Sequence, residues 1–307
     1  MGLRIRTNVS SINSQRRLAN STNTLQESAA KLASGKRINK AADDAAGLAI
    51  SSNISADIRS LNQAKRNGMD GISLVQTAEG GLDETNNMLT RLRELAVQAA
   101  SDTVGETERG FIDKEFIALK DEIDRIANVT EFNGTKLIVG DADLPEEVAN
   151  KPGTYPLEFQ IGKDYMTGVD GVEQRNQVNI IKVDLGKLNA FTTGEGSLGI
   201  GRGEDGTRVN SKQSAQQSIM QLDKAIVQVA DYRAYLGAIQ NRLDKTVSNL
   251  GVTTENLSAA NSRILDSDFA EETATYTSAK ILQSAGASVL AQANQQGQVV
   301  NSLLQNL

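Results

Sequence analysis

Apolar and small residues recur through the C-terminal third of the chain at alternating intervals of three and four residues. Over several heptads this spacing is typical of a coiled-coil seam rather than of a short amphipathic helix. The positions are Ala215, Ile219, Leu222, Ile226, Val229, Leu236, Leu243, Val247, Leu250 and Leu257. The pattern therefore predicts one long helix, from residue 212 to at least 257, that packs lengthwise against other helices.

The N-terminal half carries three shorter stripes of the same kind, each long enough for a helix. Their positions are Ile54, Ile58, Leu61, Ile72 and Val75, then Leu89, Leu92, Ala96 and Ala99, then Ile112, Phe116, Leu119, Ile123 and Ile126. Gly80-Gly81 and Gly105 separate the stripes, and glycine makes chain reversals easy. We expect three helices here, bundled with the long C-terminal helix.

The middle of the chain has a different composition. All three prolines lie between Pro145 and Pro156, and 13 of the 26 glycines lie between Gly134 and Gly206. Within this stretch, residues 157–163 and 177–185 alternate apolar and polar side chains, as strands do. The sequence thus predicts a mainly α fold, a long antiparallel helical bundle or coiled coil formed by the two arms, with a small β-hairpin module between them.

The two ends of the chain form another pair of apolar stripes. Residues 281–307 contain no charged side chain, and neither end can bury its stripe alone. Copies of the same chain, stacked head to tail, would cover both ends. We predict that the self-assembly contacts involve Ile5, Val9, Ile12, Leu25, Leu32, Leu282, Val289, Val300 and Leu303.

Composition narrows the chemistry. The 307 residues carry a net charge of −6 and include no Cys, His or Trp. Disulfides, Cys or His metal sites and His-based catalytic triads are therefore excluded. We predict no catalytic residue, no cofactor and no metal, so the chain is not expected to be an enzyme.

Membrane and nucleic-acid partners are also not expected. The opening MGLRIRTNVSSIN lacks the apolar region of a Sec-type signal, and no run reaches the length of a membrane helix. The first 40 residues carry eight Arg and Lys against one Glu, but the chain as a whole is acidic. A coiled-coil adaptor that uses this basic start on nucleic acid or acidic lipid is one alternative.

Several blocks resemble bacterial flagellins. They are LASGKRINKAADDAAGLAISSNI at 32–54, NNMLTRLRELAVQAASDT at 86–103, EIDRIANVTEFNGTKLI at 122–138, NRLDKTVSNLGVTTENLSAANSRILDSDFAEE at 241–272 and ILQSAGASVLAQANQQGQVVNSLL at 281–304. The resemblance implies a secreted, extracellular structural subunit that polymerises into the flagellar filament for swimming motility. A second alternative, within the same superfamily, is the hook–filament junction protein.

The resemblance also implies a division of the chain into five segments. Residues 1–45 would be an inner-core N-terminal helix, and 46–139 the outer-core N-terminal helices. Residues 140–210 would be the small exposed β-hairpin module, and 211–267 the outer-core C-terminal long helix. Residues 268–307 would be the inner-core C-terminal helix.

Further partners follow from the resemblance alone. The chain would leave the cell unfolded through the flagellar type III system, with an export chaperone, and would meet the flagellar cap and the hook–filament junction proteins. Matching LTRLRELAVQ and KEFIALKDEIDR to the family pattern points to Arg91, Leu95 and Glu115 as contacts for the vertebrate Toll-like receptor for flagellin.

In the exposed module, we consider Thr192, Thr193 and Ser197 candidates for glycosylation.

Overall fold

The computed structural model describes residues 8–140, 156–163, 179–194, 196–203 and 206–305, with side chains described as far as residue 295. Its helices are α1 (Val9–Ser34), α2 (Ala45–Ala99), α3 (Glu106–Val129), α4 (Lys212–Leu265) and α5 (Phe269–Gln305). Its strands are β1 (Glu131–Phe132), β2 (Thr135–Lys136), β3 (Leu157–Gln160) and β4 (Ile180–Val183). The predicted mainly α fold with a small β module is confirmed.

The chain divides into two compact units. One comprises residues 1–58 and 255–307, and the other residues 59–254. The five-segment division made from the sequence stays a prediction. Residues 141–147, DADLPEE, begin like a calcium loop, but Pro145 and a missing glycine do not fit one. They lie outside the described residues.

The unit of residues 59–254 has a continuous hydrophobic core. The predicted seam of α4 supplies much of it, because Ala215, Leu222, Val229, Leu236 and Leu243 are all fully buried. Stripes on α2 and α3 pack into the same cluster. The heptad pattern therefore identified the buried face of α4 correctly.

Two small antiparallel hairpins complete this unit. Asn133 and Gly134 both have positive φ, 50° and 78°, which is the conformation that an Asn-Gly type I′ turn requires between β1 and β2. β3 pairs with β4 in the register Leu157 to Val183 and Gln160 to Ile180. The two strands predicted at 157–163 and 177–185 are confirmed, and they pair with each other.

One predicted break is wrong. Gly105 does precede α3, but α2 runs without interruption through Gly80 and Gly81. Each glycine costs a helix about 1 kcal/mol relative to alanine, and the neighbouring Ala78 and Leu82 are fully buried. Packing of these side chains offsets the poor helix propensity.

Gly81 has a packing role that explains its place in a helix. A Cβ atom added there would lie 2.7 Å from Thr130 Oγ1 and 3.1 Å from Ile138 Cδ1. The Thr130 hydroxyl is held at the end of α3, where it donates to Ile126 O at 2.8 Å. The glycine therefore lets the segment after α3 approach α2 closely.

Gly81→Val should lower the free energy of unfolding by about 1–3 kcal/mol, because the new side chain overpacks this contact. Gly80→Val is the matched control, since a Cβ atom at Gly80 meets no atom within 4 Å. Its effect should stay within about 0.5 kcal/mol. Urea denaturation followed by circular dichroism measures both, and equal losses at the two positions would contradict the packing role.

Candidate assembly surface and central module

In the unit that contains both chain ends, α1 and α5 pair along a regular stripe on each helix. We call these the pairing stripes. On α1 the stripe consists of Ser11, Ser14, Leu18, Ser21, Leu25, Ser28 and Leu32, all buried or half-buried. On α5 it consists of Glu272, Tyr276, Ala279, Gln283, Gly286, Leu290 and Ala293. Both follow the three-and-four spacing of a coiled coil.

The most buried members of the pairing stripes are small. Ser11, Ser28, Ala279 and Ala293 are each less than 9% exposed. Small side chains let two helices approach closely but bury little apolar area. The pair therefore leaves much of its hydrophobic surface uncovered.

The predicted assembly residues fall on two different faces. Leu25 and Leu32 lie on the pairing stripe and are half-buried. Val9, Ile12, Leu282 and Val289 are instead 62%, 56%, 60% and 56% exposed. Leu282 and Val289 therefore do not lie on the stripe that meets α1, which runs about one residue further around α5. Their role as self-assembly contacts stays a prediction. We call the exposed apolar set Val9, Ile12, Ile281, Leu282 and Val289 the free stripe.

The remaining predicted assembly residues cannot be placed. Ile5 precedes the described residues, and Val300 and Leu303 belong to α5 but lie beyond the described side chains. The Ser-and-Leu repeat of α1 and the regular spacing from Glu272 to Ala293 were visible in the sequence. A search restricted to large apolar residues misses both.

The chain reversals next to this helix pair are tied together by backbone hydrogen bonds. Arg37 N donates to Leu265 O at 2.6 Å, and Ser267 N donates to Gly35 O at 3.0 Å. Gly35 ends α1 in the left-handed region, at φ 69°, where glycine is favoured. These bonds fix where the two helices begin and end.

An aspartate organises the loop that leads into α2. The Asp43 carboxylate accepts hydrogen bonds from the backbone N–H groups of Asn39 and Lys40, each at 2.9 Å. These bonds lower the pKa of Asp43 below its ordinary value, because they stabilise the ionised form. The conspicuous Asp-Asp pair of the sequence is thus a loop and helix-cap feature, since Asp44 Oδ1 accepts from Gly47 N at 2.9 Å.

In the other unit, charged side chains on the inner face of α3 hold the central module. Asp113 accepts Val209 N at 3.0 Å and Arg208 Nη2 at 2.7 Å. Asp124 accepts both the backbone N–H and the hydroxyl of Thr192, at 2.8 and 3.0 Å. Both carboxylates are buried, so each stabilises one segment of the module from the interior.

Lys120 lies between these two aspartates on α3 and has no exposed surface. Its ammonium group donates to Gly203 O and Thr207 O, both at 3.0 Å. Desolvation lowers the pKa of Lys120 below the ordinary 10.5, and the nearby carboxylates of Asp113 and Asp121 oppose that shift. This cluster was not predicted from the sequence, although its charged residues occupy heptad positions of a buried stripe on α3.

The three predicted glycosylation residues differ in accessibility. Thr192 is fully buried and its hydroxyl bonds to Asp124, so it does not fit an enzyme-accessible acceptor. Thr193 is exposed and Ser197 is half-buried. Only Thr193 and Ser197 remain candidates.

The three predicted receptor residues are also not equivalent. Arg91 on α2 and Glu115 on α3 form a 2.8 Å ion pair, with side chains 51% and 49% exposed. Leu95 is only 2% exposed and belongs to the hydrophobic core. Its side chain is therefore not a surface contact, and the expectation for Leu95 is corrected accordingly.

Comparison with known families matches both arms of the chain. A family model described as the bacterial flagellin N-terminal helical region matches residues 5–143, and one described as the C-terminal helical region matches residues 219–304. The chain belongs to the bacterial flagellin family. It is a structural subunit that self-polymerises into the flagellar filament, which lies outside the cell.

Relatives called flagellin match over nearly their whole length. That of Bacillus subtilis is 41% identical, with 98% of this chain and 100% of the relative covered. That of Halalkalibacterium halodurans is 39% identical, with 97% and 98% covered. A flagellar filament 33 kDa core protein of Treponema phagedenis is 40% identical over the same shares.

Among solved structures, a flagellar hook-associated protein from Vibrio parahaemolyticus matches with a TM-score of 0.50 and 14% identity. The match covers 73% of this chain and 100% of that protein, and it shows likeness of fold alone. Among the residues described here, no helix is long and apolar enough to cross a membrane. No cluster of three or more potential metal-ligating side chains occurs in the same part of the chain.

Lys120→Met should lower the free energy of unfolding by about 2–4 kcal/mol, because the carbonyl groups of Gly203 and Thr207 lose their donor and two buried carboxylates lose a neighbouring cation. Lys114→Met, an exposed lysine on the same helix, is the control and should change stability by less than about 1 kcal/mol. Chemical denaturation at neutral pH measures the difference.

Comparison of the parent with Lys120→Met also reports the lowered pKa of Lys120. Between that pKa and 10.5 the unfolded chain binds more protons at this lysine than the folded chain, so the group makes stability rise with pH in that window. The stability difference between the parent and Lys120→Met should therefore grow as pH rises toward 10.5. A difference that shrinks over this window would contradict the assignment.

Proposed function

We propose that the chain polymerises by burying the free stripe of α1 and α5 against neighbouring copies of itself. The observation that carries this proposal is the exposure of large apolar side chains on both terminal helices, which neither helix covers for the other. Groups of exposed large apolar side chains mark interaction sites. A heterologous contact that does not close into a ring generates an open helical polymer.

The absence of charge along residues 281–307 supports the same role. A charged side chain is costly to bury unless it is paired, whereas Gln, Asn and Ser side chains can line a buried surface that still contains water. The C-terminal helix can therefore be surrounded by other subunits on several sides. A structural rather than an enzymatic role follows from the family.

Other partners belong to this proposal through family membership. We infer export in an unfolded state through the flagellar type III system, an export chaperone, and contacts with the cap and the hook–filament junction proteins. The junction-protein and adaptor alternatives are not favoured, because relatives named flagellin match almost the entire chain. Glycosylation at Thr193 and Ser197 stays a further proposal, supported by their accessibility.

The full chain should form long filaments after seeding or salt addition, visible by electron microscopy, and a version lacking residues 281–307 should not. Leu282→Glu with Val289→Glu should raise the protein concentration needed for assembly at least about 10-fold, because burial of each apolar side chain contributes roughly 1.5–3 kcal/mol. Leu282→Met with Val289→Ile keeps both positions apolar and is the control. Sedimentation quantifies the polymer.

Unchanged assembly of the double-Glu variant would remove the free stripe from the contacts while leaving the filament role intact. Monodisperse full-length protein under every seeding condition would sink the self-polymer role itself.

A second proposed function is recognition by the vertebrate Toll-like receptor for flagellin. It rests on the resemblance and on the accessibility of the paired Arg91 and Glu115. Such a pair presents both charges on one surface formed by α2 and α3, and polar groups of this kind give specificity at interfaces.

Arg91→Ala and Glu115→Ala should each weaken receptor activation in reporter cells about 10-fold or more, with little change in thermal stability, since exposed ion pairs contribute about 0–1 kcal/mol. Arg125→Ala is the control, because Arg125 is similarly exposed and paired with Glu122. A response that is the same for all three variants would rule out Arg91 and Glu115 as the contacts.

A further inference from the structure

The shapes of the pairing stripes fix the register of α1 against α5 only weakly. The most buried positions are Ser11 and Ser28 on α1 and Ala279 and Ala293 on α5. A coiled coil of large apolar side chains is held in one alignment by knobs that fit particular holes. Small residues that repeat every seven positions fit almost equally well after a shift of one heptad.

Uncharged hydrogen bonds join the two helices, and the bond between Thr22 and Gln283 distinguishes the alignments. Gln283 Nε2 donates to Thr22 Oγ1 at 3.2 Å, while the Thr22 hydroxyl itself donates to Leu18 O at 2.9 Å. Ser11 Oγ donates to Asn294 Oδ1 at 2.9 Å. Near the start of α1, Asn8 Nδ2 donates to Ala293 O at 2.8 Å.

A shift of one heptad breaks the Thr22 bond in either direction. It places Tyr276 or Leu290 opposite Thr22, since these residues lie seven positions from Gln283 on the same stripe. Leu290 has no donor, and the Tyr276 hydroxyl lies at the end of a rigid ring rather than at the position of the Gln283 amide. In either shift Gln283 loses Thr22 as a partner and is half-buried. Leaving a buried polar group unsatisfied is costly, whereas the Ser and Ala contacts change little.

We propose that the Thr22–Gln283 hydrogen bond determines the register of the terminal helices, and that this register is a specificity element for assembly. The inference rests on the proposed function, because the register sets the distance along the helix axis between the free-stripe residues of α5 and Val9 and Ile12 on α1. A one-heptad shift moves them along the axis by about 10 Å, at 1.5 Å per residue. A polar residue in a coiled-coil seam plays the same part when it specifies alignment.

The chain has no cysteine, so engineered disulfides report the register without interference. A Cβ atom at Gly286 would lie 3.8 Å from Leu18 Cβ, which is the mean Cβ separation of a disulfide. Leu18→Cys with Gly286→Cys therefore reports the observed register. Leu18→Cys with Ala279→Cys and Leu18→Cys with Ala293→Cys report shifts of one heptad in the two directions.

Each cysteine pair is placed in three backgrounds: the parent, Thr22→Val with Gln283→Leu, and Thr24→Val with Gln292→Leu. The last is the matched control, because it makes the same changes at exposed positions, and the Thr24 hydroxyl bonds within α1 to Asn20 O. Sedimented polymer and supernatant are oxidised separately. Non-reducing gels and mass spectrometry separate disulfides within one chain from those between chains.

In the parent and the control, the intrachain yield of the 18–286 pair should exceed that of either shifted pair at least about 10-fold. In Thr22→Val with Gln283→Leu, the intrachain yields of the shifted pairs should rise to within about 3-fold of the yield of the 18–286 pair. An unchanged preference in that variant, or equal yields in the parent, would overturn the proposal. If no polymer forms, the proposed function fails, and the yields in the supernatant still decide the register.

Discussion

An α-helix can bury only a limited stripe of its surface against one neighbour. The size of the side chains on that stripe determines how much apolar surface each of the two units of the chain buries. In the unit of residues 59–254 the stripes carry large residues such as Leu222, Leu236 and Phe116, which are fully buried. That unit therefore has a continuous core of its own. Where α1 and α5 pair in the unit with the chain ends, the buried positions are Ser and Ala, and much apolar surface stays uncovered.

The uncovered surface connects local packing to function. A helix pair that satisfied all of its hydrophobic side chains internally would have no reason to polymerise. Because α1 and α5 approach through small residues, Val9, Ile12, Leu282 and Val289 remain available to other copies. Because the pairing stripes offer little apolar contact, hydrogen bonds determine the alignment of α1 with α5. Hydrogen bonds are directional, whereas contacts between small side chains are not.

The central module depends on a different interaction. The module packs apolar residues such as Leu185 and Ile200 into the core, but its irregular backbone also needs hydrogen-bond partners. The inner face of α3 offers Asp113, Lys120 and Asp124, which bind backbone groups of the module directly. Buried charges are tolerated there because the hydrogen bonds to the loop compensate for their desolvation.

The sequence by itself determined the helical arms, the seam of α4, the reversal at Gly105 and the two strands of the module. Each follows from periodicity or from glycine placement, which are local properties. Sequence blocks at both ends of the chain also indicated the flagellin family. These parts of the fold needed no knowledge of which surfaces meet.

Only the tertiary structure decided the features that depend on a partner across space. The continuity of α2 through Gly80 and Gly81 follows from buried neighbours and from the approach of Thr130, which no local pattern reveals. Leu95 and Thr192 look like surface residues in the sequence, yet packing and Asp124 place them inside. The face on which α1 and α5 meet was likewise set by the close approach of small residues. Small side chains bury little apolar area, so a pattern of large apolar residues does not reveal this face.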